Sequence, residues 1–201
     1  MGITIDDRLT WKPQINNCLL KLNKCLYAIY KLRLYTNLST LKLVYNALAY
    51  PHIQYCLSVW GGAPTTSLLP LLRKQKQIIR AMLFKGNTCP SSPLFLKLNL
   101  LKLNEIYKFK LGILMHKQGK HPNIKIPKPT PISSVHNHNT RLNNNTNYYV
   151  STVNSNLAKT TFKYSGPTIW NTIPNEIKQS SSFKLKTLYK YNFLASYQLT
   201  P

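Results

Sequence analysis

Apolar and polar positions alternate along this chain with two different periods. The opening run M-G-I-T-I, Met1 to Ile5, alternates every second residue and predicts one short strand. No partner strand is evident nearby. From Pro13 to about Tyr35 the period changes to three and four residues. Ile15, Leu19, Leu22, Leu26 and Ile29 share one face, and Lys21, Lys24 and Lys31 fall opposite, which predicts an amphipathic helix. Ser39 is placed to N-cap a second helix holding Leu41, Val44, Tyr45 and Leu48, which Pro51 ends or kinks. Tyr55 to Trp60 is apolar without a clear period, and Gly61-Gly62 breaks it.

A third helix is predicted from a cap at Thr65 or Thr66 to about Lys85, with Gly86 as its stop. Leu68, Leu71, Leu72, Ile78, Ile79 and Met82 form its apolar stripe; Arg73, Lys76 and Arg80 lie together on the far side, with Lys74 beside them in sequence. Ser92-Pro93 opens a short helix, and a longer one follows over 103–118. Residues 119–159, rich in Pro, Asn, Thr and Ser, read as a linker or extended segment. Within 160–201, Thr161 to Tyr164 reads as a strand or extended arm. Gly166-Pro167 reads as a turn, Pro174 as the start of a helical turn, and Ser182 as the cap of a last helix from Phe183 to Ala195. The expected fold is mainly α: a helical bundle with a short N-terminal strand remnant, a Pro/Asn-rich linker and a small C-terminal helical segment.

Charge sharpens this picture. The chain has 27 Lys and Arg against four acidic residues, Asp6, Asp7, Glu105 and Glu176, for a net charge of +23. That imbalance suits a polyanionic partner, most simply nucleic acid. It also removes a chemistry, because four scattered carboxylates cannot hold the metal pair of a polymerase or nuclease. Asp6 and Asp7 are neighbours, but on a strand they would point to opposite faces. There is no G-x-S-x-G and no Cys–His pair in a recognisable local context, so no catalytic residue is assigned. Asp6 fits a turn or cap before the first helix, and Glu176 suits a first helical turn.

The cysteines and histidines add little. Cys18 and Cys25 fall on the apolar side of the first helix, and Cys56 and Cys89 are isolated. Without a C-x-x-C pair, buried reduced thiols are expected rather than zinc. H-N-H-N-T-R at 136–141 offers His136 and His138 as a bare H-x-H, short of the four ligands of a closed zinc site. Arg141 fits a phosphate or carboxylate fork, or equally a packing or capping role. No metal and no cofactor are expected. No apolar run is long enough to span a bilayer, and the start lacks the pattern of a signal peptide. The expected location is therefore nucleus and cytoplasm.

Several runs resemble one family. G-I-T-I-D-D-R-L-T-W-K-P-Q-I at 2–15 resembles the segment after the primer grip in reverse transcriptases of non-LTR, LINE-type retrotransposons, jockey-like ones in particular. L-V-Y-N-A-L-A-Y-P-H-I-Q-Y-C-L-S-V-W-G at 43–61 is similar to the family's helix, proline, tyrosine and V-W-G run, and L-R-K-Q-K-Q-I-I-R-A-M at 72–82 to its following basic helix. H-N-H-N-T-R-L at 136–142 and Y-S-G-P-T-I-W-N-T-I-P-N-E-I-K at 164–178 resemble its C-terminal signature. The resemblance implies that 1–12 ends a palm, 13–118 is a helical thumb, and the rest is the region beyond it. It makes Gly2, Asp6, Trp11, Tyr55, Trp60, Gly61, Gly166, Trp170 and Asn171 structural motif positions, the three tryptophans as packing anchors.

The family's palm motif F/Y-A-D-D is absent from this sequence. The resemblance therefore implies a non-catalytic C-terminal piece of an RNA-directed DNA polymerase. Its expected partners are RNA or RNA–DNA hybrid, and the palm and fingers of the parent. Lys21, Lys24, Lys31, Arg73, Lys74, Lys76, Arg80 and Arg141 are the candidate nucleic-acid contacts, since cations on a helix face displace counterions from phosphate. The plain alternative for each is a solvated helix face. A standalone basic RNA-binding protein and a non-functional relic of the element are the competing readings. A cationic membrane-surface protein, with no membrane partner otherwise expected, is a weaker one.

Overall fold

The computed structural model describes residues 2–120, 128–135 and 146–198. His136, His138 and Arg141 lie outside the described residues. The described chain is mainly helical and divides into two compact units, Met1–Ile106 with Phe193–Pro201, and Tyr107–Asn192.

The N-terminal strand remnant does not form. Among the described residues there is no β-strand, and pairing is limited to one antiparallel bridge between Pro131 and Tyr148. The period-two pattern of Met1 to Ile5 has no neighbouring strand to satisfy its backbone, so side chains take over. Thr4 N–H donates to Gln14 Oε1 at 3.1 Å, and Asn17 Nδ2 donates to Thr4 Oγ1 at 3.0 Å. Asp6 then organises the turn: its carboxylate accepts from Thr10 N and Thr10 Oγ1, both at 2.8 Å, and from Trp11 N at 2.9 Å. That turn carries Leu9 and Trp11 in the left-handed region, at φ 51° and 61°.

In the first unit, α1 (Lys12–Leu32) starts at Pro13, whose missing N–H costs nothing in a first turn. It buries Ile15, Cys18, Leu22, Cys25 and Ile29, largely against α5 (Thr65–Met82). The two helices run parallel. Lys12, Ile15 and Asn16 line one cleft with Thr66, Ser67 and Pro70 at their starts, and Arg33 Nη1 donates to Ala81 O at 3.4 Å at their ends.

The second helical stretch begins two residues earlier than Ser39 suggests. Asn37 caps α2 (Leu38–Val44), accepting from Thr40 N at 2.9 Å. It continues as a π-helical turn, Tyr45–Ala49, into α3 (Tyr50–Gln54). Pro51 explains the widened turn, because it has no N–H for the carbonyl four residues back and its ring crowds that carbonyl. Tyr55 to Trp60 resolves into α4 (Leu57–Trp60), with Trp60 fully buried and its indole N–H donating to Tyr55 O at 2.8 Å.

The third helix stops at Met82 rather than at Gly86. Phe84 takes the left-handed conformation instead, at φ 53°, and Lys85 N–H donates to Arg80 O at 2.9 Å. Arg33, lying over Phe84 at 4.9 Å while it caps Ala81 O, supplies the stop from another helix. α6 (Ser92–Leu98) packs on α5 and leads into α7 (Leu103–Lys120).

In the second unit the segment 146–148 is anchored rather than loose. α8 (Asn156–Thr160) precedes α9 (Phe162–Asn171), so Thr161 to Tyr164 is a helix start, not a strand or arm. Gly166-Pro167 lies inside α9 rather than at a turn. Packing decides this: a Cβ on Gly166 would come within 2.9 Å of Met115 Sδ, so glycine lets the helix approach. α10 (Asn175–Lys178) follows Pro174, and α11 (Ser182–Ser196) follows it. Leu111, Met115, Trp170, Ile173, Leu185 and Tyr189 are buried here.

Candidate nucleic-acid interface

The basic face of α5 comes first because the structure adds to it. Gln75, Ile78, Ile79 and Met82 are buried on one side of that helix. The helical period puts Arg73, Lys76 and Arg80 on the other side, and turns Lys74 to the opposite flank from Lys76. Lys76 is partly buried, and burial is the first cause that holds its ammonium below the ordinary lysine range. Lys102 and Arg80 push the same way, Glu105 opposes them, and Arg73 adds to the depression. Three cations and one carboxylate therefore act on the Lys76 ammonium.

Sequence spacing does not relate Lys102 to α5; Gln75 ties the backbone on both sides of it to that helix. Gln75 is fully buried in an otherwise apolar stripe. Its Nε2 donates to Tyr45 O–H and to Leu101 O, both at 3.0 Å, and its Oε1 accepts from Leu103 N at 2.9 Å. The amide thus holds the peptide groups on both sides of Lys102. Lys102 in turn caps α7, accepting from Ile106 N at 2.9 Å. Its Nζ donates to Ser92 Oγ at 3.0 Å and lies 4.3 Å from the centre of the Tyr197 ring.

Glu105 is bonded to a tyrosine. Tyr197 O–H donates to Glu105 Oε2 at 2.6 Å and accepts from Lys102 N at 3.1 Å. Burial, and then the hydrogen bond and charge of Glu105, push the Tyr197 phenol upward. Arg80 is steadied by its own bond, Nε to Cys89 O at 2.9 Å. The one sequence signal for this arrangement was Gln75 itself, a polar residue in register with Leu68, Leu71 and Ile78.

The α1 lysines do not join this group on Lys76. Lys24 and Lys31 are exposed on the face opposite the buried stripe, and Lys31 Nζ lies 5.6 Å from the Tyr27 ring centre. Lys21 sits on the flank, in a cleft with Gly2, Gln14, His52 and Tyr55, and with burial it lowers the His52 pKa. Tyr45 is fully buried, whereas Tyr27 and Tyr30 are exposed at 66% and 42%.

The motif positions have packing surroundings. Trp11 and Gly61 are buried, the latter just after α4. In the second unit Trp170 Nε1 donates to Thr146 O at 2.7 Å. Asn171 pairs with the Tyr148 backbone both ways, donating to its O at 2.8 Å and accepting from its N at 3.0 Å. Lys178, buried, donates to Asn147 Oδ1 at 2.8 Å, and burial lowers its pKa. Glu176 lies in the first turn of α10.

Among the described residues no three of His, Cys, Asp and Glu are grouped to hold a metal. Nor is any described helix long and apolar enough to cross a membrane. No family model, curated protein or solved structure matches the chain.

Proposed function

We propose that this chain is a non-catalytic nucleic-acid-binding module that grips a phosphate backbone through its basic helix faces. The observation that carries the reading is the group of Arg73, Lys76 and Arg80 opposite the buried side of α5, with Lys102 also acting on Lys76, on a chain of net charge +23. Such a group favours a ligand that brings negative charge, and phosphate contacts of this kind give affinity without base preference. The sequence resemblance supports a more specific version: the thumb and following region of a LINE-type reverse transcriptase, with RNA or RNA–DNA hybrid as ligand and the polymerase palm and fingers as neighbours. In that version chemistry belongs to the palm, and the chain acts in the nucleus and cytoplasm with the element's RNA.

The test is a salt titration of binding by fluorescence anisotropy, with RNA–DNA hybrid, single-stranded RNA and heparin as ligands. Changing Arg73, Lys76 and Arg80 together to Ala is expected to flatten the salt slope by about 2–3 on the nucleic acids, at roughly 0.7–0.9 per phosphate contact. An unchanged slope removes this face from the reading. Preference for the hybrid at physiological salt supports the thumb version. Equal binding to all three ligands, lost together near physiological salt, contradicts it.

A further inference from the structure

We infer that Lys102 is a fourth phosphate-contacting cation of the α5 surface, and that Gln75 is the residue that positions it there. The inference rests on the reading proposed above and extends it to residues that are distant in sequence. Lys102 lies 22 positions beyond Arg80 in the chain, so no helical period relates them. What brings it to α5 is the fully buried Gln75 amide, bonded to Leu101 O and Leu103 N on either side of it. A buried amide satisfied on both its oxygen and its nitrogen is geometrically exacting, because each unmade bond leaves a desolvated group. Those two bonds fix where the Lys102 Cα lies relative to α5.

The side chain is steadied as well. The Ser92 hydroxyl takes one of the three ammonium donors, and the Tyr197 ring lies under the charge. An ammonium so placed can still donate to a phosphate oxygen. The Tyr197 hydroxyl donates to one oxygen of Glu105 at 2.6 Å. Lys102 at Ser92 and Arg80 at Cys89 are bonded to groups three positions apart in the chain, and Lys102 also acts on Lys76; an anionic ligand offsets charges so placed. The ligand class is a phosphodiester backbone, since ammonium point charges and guanidinium forks match its anionic oxygens.

The experiment is the same anisotropy titration on the purified full chain, with a single-stranded RNA and an RNA–DNA hybrid as probes. Lys102→Gln is expected to lower the salt slope by about one, and Lys102→Arg to restore it. Lys159→Gln makes the same charge change on an exposed lysine of α8 and should leave the slope nearly at its wild-type value. Gln75→Met should lose the same unit of slope, and adding Lys102→Gln to it should lose no more. Should Gln75→Met fail to fold, the Lys102 pair of variants decides the matter. If Lys102→Gln matches Lys159→Gln while the Arg73, Lys76 and Arg80 variant loses slope, the inference falls and the α5 reading stands. If the triple variant keeps its slope, both fall.

Discussion

The Gln75 amide donates to the Tyr45 hydroxyl at 3.0 Å, joining α5 to the π-helical turn deep in the core of the first unit. Both side chains are fully buried. Tyr45→Phe removes one of the amide's bonds and leaves those to Leu101 and Leu103. It should cost about 1 kcal/mol. Gln75→Leu strands a buried carbonyl, a buried N–H and a phenol, and should cost about 3 kcal/mol or more. Urea denaturation of the two variants checks the ranking; a Gln75→Leu variant no weaker than Tyr45→Phe would contradict it.

Lys76 should report ligand binding through its proton. Burial and neighbouring cations hold its pKa below the ordinary lysine value. As pH rises it therefore loses its charge before the exposed lysines do. A bound phosphate favours the charged form, so binding at a pH just below the ordinary lysine pKa should take up protons, and affinity should fall as pH climbs. Folding stability moves the opposite way over that interval, since the unfolded chain holds more protons there. Calorimetry in two buffers of different ionisation enthalpy measures the uptake. Lys76→Arg should abolish it, because Arg stays protonated.

The four cysteines should divide into two classes. Burial pushes the Cys18 thiol up to about 12 and raises Cys25. Both point at carbonyls, Cys18 at His52 O (3.4 Å) and Cys25 at Leu48 O (3.2 Å). Cys56 and Cys89 are partly exposed. At pH 8 a thiol reagent should label Cys56 and Cys89 promptly, and Cys18 and Cys25 only on unfolding. Fast labelling of Cys18 in the folded chain would refute this packing. Above the ordinary thiol pKa the unfolded chain releases the Cys18 proton and the folded one keeps it, so this thiol lowers stability as pH rises toward 12.

In the second unit, Asn171→Ala removes both bonds to the Tyr148 backbone. We expect a loss of about 2 kcal/mol and a marked drop in hydrogen-exchange protection at the Tyr148 amide. Gly112→Ala is a separate probe of packing. A Cβ there would lie 2.5 Å from Tyr189 Cε1, and overpacking of this kind costs about 1–3 kcal/mol. A neutral Gly112→Ala would show that the tyrosine ring can move away.

What the sequence determined by itself is local. The three-four period placed α1 and the core of α5, and Pro13 and Pro93 marked helix starts, because neighbouring turns of one helix need only their own residues. The same period put Arg73, Lys76 and Arg80 on one side of α5. Tertiary structure decided whatever needed a distant partner. Ile3 and Ile5 alternate like a strand but have none to pair with, so Gln14 and Asn17 hold that segment through side chains. The α5 stop moved from Gly86 to Met82, where Arg33 at the end of α1 caps Ala81 O and lies over Phe84. Pro167 stayed helical because Gly166 admits Met115. Lys102 lies against α5 because a buried glutamine 27 positions earlier grips its peptide neighbours. Contacts between residues so far apart depend on how whole helices pack, and a periodicity confined to one helix carries no trace of them.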